Sequence, residues 1–100
     1  MDRKEVIRRI STLRYRANLS ARALSHLIDM NDGYISGLES NKNFVPKMEV
    51  LFRIIDVCGS TPEEFFYENF DKYKIDKKTF LFLDSLSQTQ KEAIVNLYKN

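Results

Sequence analysis

The chain has 100 residues, 43% of them apolar and 30% charged; that suits one small globular domain and excludes a disordered segment. One Cys and one His supply neither an intrachain disulfide nor a zinc site, and no apolar run reaches the ~18 residues of a membrane span. A net charge of +2 is too small to mark a nucleic-acid binder by itself.

The charge is unevenly spread. Residues 1–18 carry +4, residues 19–46 carry −1, residues 47–70 carry −3 and residues 71–100 carry +2, a lopsided field that orients an anionic partner. The charged start Met1-Asp2-Arg3-Lys4-Glu5 does not read as a signal peptide, so the expected compartment is the cytoplasm. No cofactor and no metal are expected. Three Gly and two Pro argue against a many-turned β fold.

Helical spacing runs from end to end. A first helix is predicted over Lys4–Ala17, with Ile7, Ile10 and Leu13 on one stripe and Arg8, Arg9 and Arg16 off it. Asn18 suits a left-handed C′ position. Ser20 caps a second helix, Ala21–Ile28, with Leu24, Leu27 and Ile28 inward. After Asp29-Met30-Asn31, Asn31 caps a third helix, Asp32–Ser40, with Ile35 and Leu38 inward. So short a turn forces a large crossing angle, the helix-turn-helix arrangement. Residues 41–46 read as a loop ending in Pro46. A fourth helix, Met48–Cys58, faces inward through Met48, Leu51, Phe52, Ile55 and Cys58, and Gly59 ends it. Thr61-Pro62-Glu63-Glu64 starts a fifth helix carrying Phe65 and Phe66. Asp71 to Lys78 reads as a polar connector. Asp76 caps a sixth helix, Lys77–Leu86, and Ser87-Gln88-Thr89-Gln90 is a capping box for a seventh.

Several pieces of residues 7–66 combine into a specific pattern. They are Ile7-Arg8-Arg9-Ile10 with Leu13-Arg14; Leu19-Ser20; Leu24-Ser25 with Ile28; Tyr34-Ile35-Ser36 with Leu38-Glu39; Lys42; Pro46; and Gly59 followed by Thr61-Pro62-Glu63-Glu64-Phe65. Together they resemble the phage-repressor (Cro-like, XRE-type) helix-turn-helix family. The resemblance implies a transcriptional regulator of repressor type that binds double-stranded DNA, its third helix in the major groove and its second across the backbone. It places base-reading positions on Asn31, Asp32, Gly33, Tyr34, Ser36 and Gly37, and phosphate-contacting positions on Lys42 and Asn43. It makes Arg14 and Glu39 an internal ion pair joining the first helix to the end of the third. Ser20 and the amides of Ala21, Arg22 and Ala23 form a helix N-terminus suited to a phosphate. The expected affinity is largely electrostatic, through Lys42, Arg16, Arg22 and helix N-termini.

A rival reading stays open. The family usually has Gln where this chain has Ala21, the third helix carries no Lys or Arg, and Asp32 brings a carboxylate to its start. A protein-interaction module, adaptor or antitoxin-like, that keeps the fold without DNA binding is therefore the alternative. No catalytic constellation is visible: His26 reads as a surface or partly packed residue, Cys58 as a small core side chain, and Glu63 and Glu64 as partners of a helix dipole. An enzyme is not expected. The carboxy-terminal helices carry Phe80, Leu81, Phe82, Leu83 and Leu86, then Ile94 and Leu97. Four consecutive apolar side chains exceed one amphipathic face, which points to burial on two sides and a homodimer. The expectation is all-α: a five-helix repressor-like helix-turn-helix domain over residues 1–70, and a two-helix dimerisation element over residues 71–100.

Overall fold

The computed structural model describes residues 1–40 and 44–99, so Lys42 and Asn43 lie outside the described residues. All regular structure among these residues is helical: α1 (Arg3–Arg16), α2 (Ala21–Leu27), α3 (Tyr34–Ser40), α4 (Met48–Val57), α5 (Pro62–Phe65), a one-turn 3₁₀ helix (Phe70–Lys72), α6 (Tyr73–Ser85) and α7 (Gln88–Lys99). The chain divides into two compact units, Met1–Tyr67 and Glu68–Asn100. Among the described residues, no helix is long and apolar enough to cross a membrane.

Local chemistry sets the helix limits in the first unit. The side chains of Asp2, Ser20 and Thr61 accept from the amides of Glu5, Ala23 and Glu64, capping α1, α2 and α5. Three helices end in the same two-bond motif, with a left-handed residue after the cap: Asn18 (φ 57°), Asp29 (φ 60°) and Gly59 (φ 74°). In α1, Asn18 N–H donates to Tyr15 and Leu19 N–H to Arg14; in α2, Asp29 donates to His26 and Met30 to Ser25; in α4, Gly59 donates to Asp56 and Ser60 to Ile55. These bonds satisfy carbonyls that the end of a helix leaves open. Asn and Asp are the side chains that best tolerate this conformation.

The core of this unit takes Ile7, Ile10 and Leu13 from α1, Leu24 from α2, Ile28 just after it, Ile35 and Leu38 from α3, and Phe65 from α5. Helix α4 adds Val50, Leu51, Ile54 and Ile55. Of the predicted stripe it buries Leu51 and Ile55, whereas Met48 and Phe52 are exposed and Cys58 is half-buried. α4 is apolar around most of its circumference, so its pattern left the rotation open. In α2 the buried face turns from Leu27, which is exposed, to Ser25, which is fully buried. Phe66 is exposed as well.

Arg9 is not off the stripe but buried, donating to Glu5 and to the carbonyls of Phe65 and Tyr67. Arg8 and Arg9 together hold the Glu5 carboxyl down to about 2 through their hydrogen bonds. Glu64 keeps its expected place in the first turn of α5 and is buried there, its Oε1 accepting from the Ser60 hydroxyl at 2.5 Å.

In the second unit the predicted connector is helical. α6 starts at Tyr73, and Asp76 lies within its first turn instead of capping it. Lysines are good helix formers, an early carboxylate suits the helix dipole, and Lys77 Nζ donates to Tyr73 Oη one turn back at 3.1 Å. Ser87 and Gln90 cap α7 reciprocally, each side chain taking the other's amide at 3.2 and 2.9 Å. Phe80, Leu81, Phe82, Leu83 and Leu97 are exposed, and Leu86 and Ile94 are half-buried. The two-sided burial expected of residues 80–83 is thus not met within one chain. An apolar groove of about 350 Å³ opens between α6 and α7, lined by Phe80, Leu83, Ile94 and Val95 with Asp84 and Lys91 at its edge.

Candidate functional site

α2 and α3 pack on each other and are joined by residues 28–33. The connection is longer than predicted because α3 begins at Tyr34 instead of Asp32. Tyr34 N–H donates to the Asn31 carbonyl at 3.1 Å and Gly37 N–H to the Gly33 carbonyl at 2.8 Å, so Asp32 and Gly33 form a turn leading into the helix. The physical reason is Ser25. Its buried Oγ donates to the Ala21 carbonyl at 2.8 Å and accepts from Ile35 N–H at 3.0 Å. One hydroxyl from α2 therefore satisfies an open amide in the first turn of α3, beside the Asn31 carbonyl that takes Tyr34 N–H.

The opposite end of α3 is clamped from α1. Arg14 meets Glu39 side-on, Nε to Oε1 at 2.7 Å and Nη2 to Oε2 at 2.9 Å, while Nη1 donates to the Leu19 carbonyl at 3.0 Å. The hydrogen bond to Glu39 raises the pKa of this guanidinium above its ordinary value. Arg3 donates to the carbonyls of Leu38 and Phe44 at 3.2 and 2.6 Å. From α4, Arg53 donates to the Ile28 carbonyl at the end of α2 at 2.7 Å. Cations thus sit at the C-terminal ends of α2 and α3, where helix dipoles favour them.

Between these anchors an outward face remains. Asn31, Asp32, Gly33 and Ser36 are exposed, and Tyr34 and Gly37 are half-buried. The Tyr34 ring stands edge-on to Phe44, centroids 5.3 Å apart at 80°, and burial pushes its phenol pKa up, opposed by the charge of Arg53. A side chain at Gly37 would meet open space, and one at Gly33 would touch only Asn31 Oδ1 at 3.9 Å. Neither glycine is demanded by packing among the described residues.

Ser20 and Arg22 are exposed and Ala21 is half-buried at the start of α2. The Ala23 amide predicted to be open is taken by Ser20 Oγ at 3.0 Å. Arg22 Nη2 lies 3.3 Å from Asp32 Oδ2, and His26 Nε2 meets Asp32 Oδ1. The carboxylate that the sequence placed at the start of the third helix is held by two side chains of α2.

Compared with family models, with curated proteins and with solved structures, the chain matches none.

Sequence reasoning missed Ser25, Arg3 and Arg53 as organisers of this face, and His26 as part of it. Ser25 left a signal, a polar residue on the inward side of a short helix. Arg3 and Arg53 left none, since their partners lie up to 41 positions away. Metal-ligand clusters of three or more His, Cys, Asp or Glu are absent among the described residues.

Proposed function

We propose that the chain is a sequence-specific, double-stranded-DNA-binding transcriptional regulator of the phage-repressor (Cro-like, XRE-type) helix-turn-helix kind. In this reading α3 lies in the major groove and α2 crosses the backbone. The single observation that carries it is the α2–α3 pair, locked by Ser25 at the start of α3 and by Arg14 and Arg3 at its end. That pair leaves the row Asn31, Asp32, Gly33 and Ser36 open. A groove-reading element needs this combination of a fixed backbone and an uncovered outer side. Ser20, Arg22, Lys42 and Asn43 supply the backbone contacts, and two copies of the chain read two half-sites. The exposed apolar side chains of α6 and α7 join those copies, since apolar side chains left in water in such number call for a partner.

The second reading, a protein-interaction module, is favoured by one observation: α3 has no basic side chain, and Arg3, Arg9, Arg14 and Arg53 are engaged with carbonyls of the chain. Selection from a random duplex pool at low salt separates the two. Convergence on a two-fold site, with affinity falling steeply as salt rises, is the expected result. A pool that stays unenriched while the folded protein is present would leave the interaction module as the function.

A further inference from the structure

Three exposed side chains from two elements converge at the start of the outward face. Arg22 and His26 are one turn apart on α2, and both reach the carboxylate of Asp32, in the turn before α3. Their side chains are 73%, 53% and 61% exposed. Ion pairs so open to water contribute little to stability, so folding alone gives little reason for the cluster. What it does fix is orientation. A carboxylate only accepts hydrogen bonds, so the proton in the His26–Asp32 contact sits on Nε2. In the neutral tautomer held this way the lone pair is on Nδ1, which has no hydrogen-bond partner among the described residues. Arg22 meanwhile offsets the negative charge of Asp32, which otherwise repels phosphates.

We propose that His26 is a sequence-selecting residue of the DNA-binding face, held by Asp32 so that Nδ1 accepts from a base amino group, adenine N6 or cytosine N4, in the major groove. Asp32 is then a positioning residue and not itself a base reader. The inference rests on the DNA-binding reading and deepens it: the outer edge of α2, and not α3 alone, reads sequence. Amino groups of this kind are presented in the major groove by adenine and cytosine and by neither guanine nor thymine, so an acceptor there discriminates.

The experiment compares the wild type with His26→Ala, Asp32→Asn and the double variant, each taken through selection from the same random duplex pool. In parallel, ¹⁵N spectra of the His26 ring are recorded on the free proteins. Both side chains are exposed, so all four should melt alike. The wild type should enrich a site with adenine or cytosine at one position per half-site, and the base recovered distinguishes the two amino groups. His26→Ala should lose preference at that position and bind the selected site about tenfold more weakly. Asp32→Asn should blur the same position, shift the ring from one tautomer to a mixture, and add nothing to His26→Ala in the double variant. If His26→Ala selects the wild-type site unchanged, or Asp32→Asn alters a different position, the assignment of His26 is overturned while DNA binding stands. If the wild type enriches no sequence, base reading and the role of His26 fall together.

Discussion

The Ser25 hydroxyl links the two helices of the candidate face through one atom that both donates and accepts. Removing it leaves the buried Ile35 amide without a partner, which costs about 1–3 kcal/mol. Ser25→Ala should therefore lower the melting temperature by several degrees per kcal/mol in a chain this size, read by thermal denaturation; an unchanged midpoint would show that another group replaces the hydroxyl. Arg14 and Glu39 were legible in the sequence because the resemblance pairs them, and the structure holds them side-on. The other arginines were not. Arg9 sits at the edge of the α1 stripe, and its exposure depends on whether the carbonyls of Phe65 and Tyr67, more than fifty positions away, come to meet it. His26 and Asp32 are six positions apart across a turn, a separation with no meaning until the turn has a shape.

At the level of single elements, caps were easier to read than buried faces. Ser20, Thr61, Asn18, Gly59 and the Ser87–Gln90 pair all mark helix ends by short-range chemistry, visible along the chain. Burial depends on neighbours, and so α4 turned away from Met48 and Phe52 and α2 away from Leu27. α3 starts two residues later than predicted, its first turn satisfied by the Ser25 hydroxyl of α2 together with the Asn31 carbonyl. Gly37 lies within α3 although a methyl group would meet nothing there. Glycine in a helix costs about 1 kcal/mol relative to alanine. Gly37→Ala should then raise the melting temperature by a few degrees and, if DNA comes close to this backbone, weaken binding to the selected site. Melting curves and titrations on one preparation test both halves. A variant that is stabilised and binds as tightly as the wild type would rule out close approach at Gly37.

For the whole molecule, the two units differ in how they hold apolar surface. The first has a continuous core shared by α1 to α5, whereas α7 has no buried side chain among its described residues. Phe80 and Phe82 are 66% and 61% exposed, and an apolar surface of this kind calls for a partner. The full chain should sediment as a dimer at tens of micromolar, and Phe82→Glu should shift it towards monomer without changing the helical signal of the first unit. A monomeric wild type under those conditions would remove self-association from the proposed mechanism. That the surplus apolar residues exist was plain from residues 80–83; which partner covers them is not a property of one chain. The clamps on α3 carry a further consequence. Ser25 secures one end and two guanidiniums from α1 the other, so a partner docks against a relief whose contour predates its arrival. Little disorder remains there to be quenched, and the heat capacity of association should track the area covered instead of a coupled folding step.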